Sequence, residues 1–206
     1  MIVKPGIDFW KRLGLIGPLM LINSFAYMYL NQRPLSEPVM LPMTFIDHAL
    51  PFIAITIWPY AALMIANVTL PFLLERREFR AVLIAYAIAI VLNVLIWSLF
   101  PTTFPRPPLP EGASISEQFY RWLMSLDQPT NCFPSGHVTI PAVLVWGLGV
   151  QWPQRRWWMW SLLVVMSLTI VTTKQHYFWD LLGGLGTAGI GAAIAYRFYY
   201  LPRTQP

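Results

Sequence analysis

The chain has 206 residues, of which 56% are hydrophobic and 11% charged, with a formal net charge of +5; that mixture is far from a soluble domain and makes lipid the natural solvent. Its single cysteine, Cys132, excludes an internal disulfide and a thiolate metal centre, so any metal would need carboxylates or histidines. The basic residues form no exposed stripe interleaved with aromatics, which excludes a nucleic-acid partner.

A hydrocarbon core about 30 Å thick needs roughly 20 helical residues, and six segments approach that length: 13–31, 52–74, 81–100, 137–151, 157–173 and 180–200. Lys4, Lys11 and Arg12 precede the first, with no small-residue cleavage pattern behind them, so it reads as an uncleaved span. Asn23 in the first span and Asn93 in the third are candidates for hydrogen bonds between helices. Asn67-Val68-Thr69 matches a glycosylation triplet, but it falls inside the second apolar run and is a chance match. Glu75, Arg76, Arg77 and Glu78 read as a topology anchor between the second and third spans.

The longest stretch outside the spans, 101–133, opens rich in proline and then changes character. Ile115, Phe119, Trp122, Leu123 and Leu126 recur at helical spacing, which predicts a short helix lying on the membrane surface or packed on other loops. In the last span Gly184, Ala188 and Ala192 stand four apart, a small-residue stripe that lets helices approach closely. The whole reads as a single membrane-embedded domain over 1–206, all-α, with six transmembrane helices.

With the amino terminus in the cytoplasm, Lys4, Lys11, Arg12, Arg76, Arg77, Arg80, Arg155, Arg156, Arg197 and Arg203 fall inside, ten of the fourteen basic residues. The excess of inside cations predicts an even number of spans and two cytoplasmic termini. Arg33, Arg106, Arg121 and Lys174 are left outside.

That topology brings three loop segments to one face: FPRP (104–107), PSGH (134–137) and TKQHYFWD (173–180). Ionisable groups at membrane depth are expensive and mark function. Ser135 is placed to cap the helix that begins near His137, and Gly136 lets backbone amides approach an anion at that helix start. Arg106 offers a planar fork to phosphate oxygens, and Lys174 a second positive charge. His176 and Asp180, four apart, would share a helical face, so the carboxylate fixes the imidazole tautomer and leaves the other ring nitrogen as a nucleophile. His137 would protonate the leaving oxygen. His48, beside Asp47, could reach a headgroup, although a local helix-end hydrogen bond is the simpler reading. Cys132 lacks a base and reads as a small buried thiol.

These motifs together resemble the type-2 phosphatidic acid phosphatase superfamily of membrane lipid phosphatases and phosphotransferases. The match runs over nearly the whole chain and includes FIDHALPFIAITIWPY (45–60), similar to the second-span entry of many relatives. The resemblance implies a helical bundle with a metal-independent, cofactor-free site, in which His176 is the nucleophile, Asp180 its orienting carboxylate, His137 the acid, and Arg106, Ser135 and Gly136 phosphate ligands. Two cations of the fuller family motifs are missing, at Leu99 and Ile170, and Lys174 is the candidate replacement. This shorter version, with TKQH, resembles the branch nearer to inositol-phosphorylceramide and sphingomyelin synthases. The expected activity is hydrolysis of a lipid phosphate or pyrophosphate at the outer leaflet through a phosphohistidine, in a bacterial inner membrane. The alternatives are transfer of a phosphoheadgroup to a lipid alcohol and a non-catalytic lipid transporter.

Overall fold

In the computed structural model, residues 7–108, 111–112 and 114–201 are described; Lys4 and Arg203, two of the cations assigned to the cytoplasm, lie outside them. Long apolar runs give the long helices, the first even with Pro18 inside it. They are α1 (Ile7–Gln32), α4 (Arg76–Leu99) and α8 (Phe178–Tyr199). The predicted second span is segmented: a 3-10 turn at Ala54–Thr56, then α3 (Ile57–Thr69), then a second 3-10 turn at Leu70–Leu73. Pro71 causes the second break, because proline has no amide to continue the ladder.

Among the described residues four helical stretches are long and apolar enough to cross a membrane: Phe9–Gln32, Ala54–Leu73, Arg76–Leu99 and Phe178–Tyr199. The fourth and fifth predicted spans are the shorter α6 (Gly136–Gln151) and α7 (Arg156–Thr172), of 16 and 17 residues. Both pack into the same bundle as the longer helices.

Two small helices sit at one end of the bundle. α2 (Phe45–Ala49) was not foreseen from the sequence; Thr44 and Asp47 form a capping box that starts it. α5 (Ile115–Leu126) covers the predicted amphipathic segment, and Ser114 with Glu117 caps it in the same way. It packs through Ser116, Tyr120 and Met124: the Trp58 indole donates to Ser116 Oγ at 3.0 Å, and the Tyr120 ring lies 4.9 Å from that of Phe52. Ile115, Trp122 and Leu126 of the foreseen stripe are 73%, 56% and 47% exposed, so the helix rests on the bundle by one face and keeps an apolar face outward.

The bundle centre is α4, α6 and α8, and its closest approaches require glycine. A Cβ on Gly184 would stand 2.6 Å from the Ser135 carbonyl oxygen, and one on Gly191 2.5 Å from that of Ala85. Asn93 of α4 donates to Thr139 of α6 at 3.1 Å, as its place inside a span suggested.

Two short strands organise the loops at the α2–α5 end. β1 (Val39–Met40) pairs in parallel with β2 (Thr102–Thr103), and Thr103 bridges Thr130. The segment after α1, the loop carrying Arg106 and the loop before PSGH are thereby fixed to one another. At the opposite end Arg12 donates to the Leu74 carbonyl and Arg77 to the Tyr199 carbonyl at 2.8 Å. The two ends of the molecule thus differ in kind, one a small layer of capped loops and the other a collar of cations.

Candidate active site

Four side chains from four elements form a chain of hydrogen bonds at the looped end. The Tyr60 hydroxyl of α3 lies 3.0 Å from His137 Nε2. His137 Nδ1 of α6 lies 2.9 Å from His176 Nε2, and His176 Nδ1 lies 3.3 Å from Asp180 Oδ2. One proton assignment satisfies all of them: Asp180 accepts from His176 Nδ1–H, the bare His176 Nε2 accepts from His137 Nδ1–H, and His137 Nε2 accepts from Tyr60. His176 is 3% exposed and Asp180 2%, so this order is held in a low-dielectric setting.

The His176–Asp180 pair differs from the expected shared helical face. His176 precedes α8, which begins at Phe178, and Asp180 stands in the first turn. Its Oδ2 also accepts the Tyr177 amide at 2.9 Å. The four-residue spacing therefore works through capping: the carboxylate that stabilises the helix start also orients the imidazole just outside it. The Ser135 amide donates to the Asp180 carbonyl at 2.9 Å, which fastens PSGH directly to that turn.

Ser135 is the residue before α6, as expected, but its hydroxyl makes no capping bond. The Ser135 carbonyl accepts from the Val138 and Thr139 amides, while the buried Oγ is unpartnered. Val138 and Thr139 supply the first helical bonds, so the amides of Gly136 and His137 are orphan donors of the helix start. Gly136 lies against Trp97, whose indole donates to the Pro134 carbonyl at 3.1 Å.

Arg106 joins the site from the loop after β2. Its Nη1 donates to the Asp127 carbonyl at 2.7 Å, and Nη2 lies 3.6 Å from the Asp127 carboxylate, an ion pair too long for a hydrogen bond. Nε and Nη2 are buried and without hydrogen-bond partners. A planar fork with two unused donors suits phosphate oxygens.

Lys174 is turned to another task. It adopts left-handed backbone, φ 52°, and its Nζ donates to the Asp47 and Leu50 carbonyls at 3.0 and 2.6 Å. Desolvation lowers its pKa, against the nearby Asp47 carboxylate. The ammonium closes α2 onto the His176 loop, so the replacement foreseen for the missing cations is engaged with backbone carbonyls. His48 is exposed on α2. Cys132 is buried with Phe104 and Tyr177, and its thiol is pushed well up by that burial and by the carboxylates of Asp180 and Asp127.

A family model described as the PAP2 superfamily matches residues 38–194. The chain belongs to the PAP2 superfamily. No curated protein matches it. Members of the PAP2 superfamily are phosphoesterases, and membership together with the apolar helices suggests a phosphatase-type membrane lipid enzyme. Against the fuller PAP2 motifs, the two positions lacking a cation are structurally unlike each other: Leu99 is 80% exposed at the end of α4, and Ile170 is fully buried in the apolar core.

Three site residues of this PAP2 chain escaped the sequence reading. Asp47, passed over in favour of His48, accepts the Phe178 amide at α8's start with Oδ1 at 2.8 Å and the Thr44 amide with Oδ2 at 2.7 Å; the Thr-x-x-Asp pattern at 44–47 was its available signal. Asp127 partners Arg106 and accepts from the Tyr27 hydroxyl at 2.7 Å. Tyr60 lies within an apolar run, where a tyrosine is ordinarily core, and nothing in the sequence singles it out.

Proposed function

We propose that the protein is an integral membrane lipid phosphatase that releases phosphate from a lipid phosphate or pyrophosphate through a phosphohistidine on His176. The observation that carries the reading is the Tyr60–His137–His176–Asp180 chain, which leaves the His176 Nε2 lone pair facing the proton of His137 Nδ1. An entering phosphoryl group takes the place of that last bond. As the phosphate enters, His137 Nε2 takes up a second proton, and this N–H donates to the Tyr60 oxygen. His176 Nε2 then attacks phosphorus, the bond from phosphorus to the leaving oxygen breaks, and the His137 imidazolium gives its Nδ1 proton to that oxygen and ends neutral. In the second step water attacks the phosphohistidine, the P–N bond breaks, and His137 Nδ1 takes the water proton. Asp180 stabilises the imidazolium character that develops on His176 in each step.

Arg106 Nε and Nη2, the Ser135 hydroxyl and the amides of Gly136 and His137 are the phosphate ligands in this reading; their unused donors favour it. Lys174 acts on the site indirectly, by holding α2 against the His176 loop. The positive collar at the far end of the bundle supports an active face on the outer side of the membrane, with both termini cytoplasmic.

One observation favours a second reading, transfer of a phosphoheadgroup to a lipid alcohol. Of the cations foreseen for the site, only Arg106 presents unpaired donors, and the Asp127 carboxylate accompanies it. So little positive charge suits a phosphodiester, with one negative charge, better than a doubly charged monoester. A phosphodiester is also the donor that headgroup transfer requires.

The test is orthophosphate release from phosphatidate, phosphatidylglycerophosphate and undecaprenyl pyrophosphate in detergent with chelator, comparing wild type with His176→Ala. Release by wild type alone, with acid-labile phosphate on the protein, is the expected result. Equal release by His176→Ala sinks the mechanism. No orthophosphate but a new lipid product on adding a phosphodiester lipid and a lipid alcohol moves the protein to the transfer reading.

A further inference from the structure

The groove between α3, α6 and α7 lies apart from the histidines. It is a cavity of about 300 Å³ in the half of the bundle toward the cation collar. At the other end, the turn that leads into α3 is tied to the end of α7: the Ile53 amide donates to the Thr172 carbonyl at 2.9 Å, and the Thr56 and Thr172 hydroxyls lie 2.8 Å apart. Past those ties the groove separates the two helices, and α6 forms its floor with Pro141, Leu144 and Leu148. The lining is apolar apart from Asn67 and Arg155. Leu73, Trp158 and Leu162 on its sides are 52%, 70% and 43% exposed, so it opens laterally, toward lipid.

Its length selects a hydrocarbon chain. From Pro141 to Trp152, the cap of α6, it follows the helix for about 11 residues, or about 16 Å at 1.5 Å per residue. Half of a hydrocarbon core about 30 Å thick is about 15 Å. The groove is therefore one leaflet deep. At its cation end stand Trp152 and Trp158, rings of the kind that settle at headgroup level, with Arg155 between them in sequence. The Arg155 side chain is exposed and has no hydrogen bond or ion pair among the described residues, and no carboxylate stands in the lining to neutralise it. The next cation, Arg156, is turned onto the Trp157 ring at 5.1 Å and takes no part in the lining.

We propose that the groove holds one acyl chain of an anionic phospholipid from the leaflet on the cation side, with the phosphate of its headgroup on Arg155. The guanidinium presents a planar fork to phosphate oxygens. A zwitterionic headgroup brings an ammonium of its own to the same place, so an uncompensated cation favours the anionic lipid. The site is independent of the proposed reaction, because it takes a lipid that is bound and released unchanged, at the opposite end of the bundle.

The test titrates the full-length protein in nonionic detergent with phosphatidylglycerol and phosphatidylcholine of the same acyl chains, read by thermal melting. Wild type is expected to be stabilised saturably by phosphatidylglycerol, at an apparent affinity about fivefold or more above that for phosphatidylcholine. Arg155→Gln is expected to remove that difference, and Arg156→Gln to keep it. Ala66 of α3 lines the groove, and Ala66→Phe, which fills it, is expected to weaken both lipids about tenfold or more. Equal affinity for the two headgroups in wild type overturns the proposal, as does unchanged binding by a folded Ala66→Phe. So does a preference that Arg155→Gln retains, or one that Arg156→Gln loses equally, which would show only diffuse attraction to the collar. Arg155 is exposed, so the headgroup comparison stands even where Ala66→Phe fails to fold. No turnover enters the readout: selective binding by a protein inactive on every lipid sinks the enzymatic reading alone, and turnover without selective binding sinks this one alone.

Discussion

The Ser135 hydroxyl is buried, unpartnered and not used to cap α6, so removing it takes nothing from the fold. Ser135→Ala is expected to melt with wild type and to lower kcat/KM about 10- to 100-fold, the loss of one hydrogen bond to a charged oxygen. A melting change with unaltered kinetics would return Ser135 to a structural role. Asp127 is expected to show itself in pH dependence. Burial raises its pKa, against the Tyr27 hydrogen bond and the charges of Arg106 and His176. A carboxyl whose folded pKa is raised contributes stability that is present below the unfolded value and lost as pH rises through the folded one. The wild-type melting temperature is therefore expected to decline as pH climbs just above the ordinary aspartate value, and Asp127→Asn to flatten that decline, checked by melting curves across pH. These two residues also mark what the sequence could tell. PSGH announced Ser135 because four specific residue types stood together at a span end. Asp127 announced nothing, since its importance comes from a turn that brings a loop carboxylate and its carbonyl under Arg106 from 21 positions away.

At the scale of elements, the active site depends on how closely α6 and α8 approach. Gly184 faces the Ser135 carbonyl with no room for a Cβ, and the neighbouring Ser135 amide bonds the Asp180 carbonyl. Gly184→Val is expected to cost about 1–3 kcal/mol through overpacking and to lower activity further, because the wedge opens between the two loops that carry the histidines. Gly189→Ala is the control. A Cβ there meets nothing within 4 Å, so that change is expected to be neutral or to stabilise α8 by up to about 1 kcal/mol. Equal effects of the two substitutions on melting and turnover would show that α6–α8 proximity does not govern the site. The small-residue stripe was readable from spacing alone. The form of the His176–Asp180 pair was not, because the interval of four fits both a helical face and a capped helix start, and only the break at Tyr177 decides between them. α2 was likewise hidden inside what reads as the entry to an apolar span, although its capping box was written in Thr44 and Asp47.

On the scale of the whole molecule, charge is sorted by end. Arg12, Arg76, Arg77, Arg155 and Arg156 lie at the ends of helices that meet opposite the histidines, where Arg12 and Arg77 close onto neighbouring carbonyls. The helix count was the weaker half of the sequence reading: hydropathy finds α6 and α7, but at 16 and 17 residues they fall short of the four longer stretches. The charge asymmetry does not depend on that count, since it compares only the two ends. Cations are retained on the cytoplasmic side during insertion, so the histidine end is expected to face outward. The prediction is checked by replacing the buried Cys132 with serine and placing a cysteine at an exposed position of either end, Glu37→Cys or Gln154→Cys. An impermeant maleimide added to intact cells should label the first and reach the second only after the membrane is opened. The reverse pattern would put His137 and His176 on the cytoplasmic leaflet, and with them the lipid whose phosphate they meet.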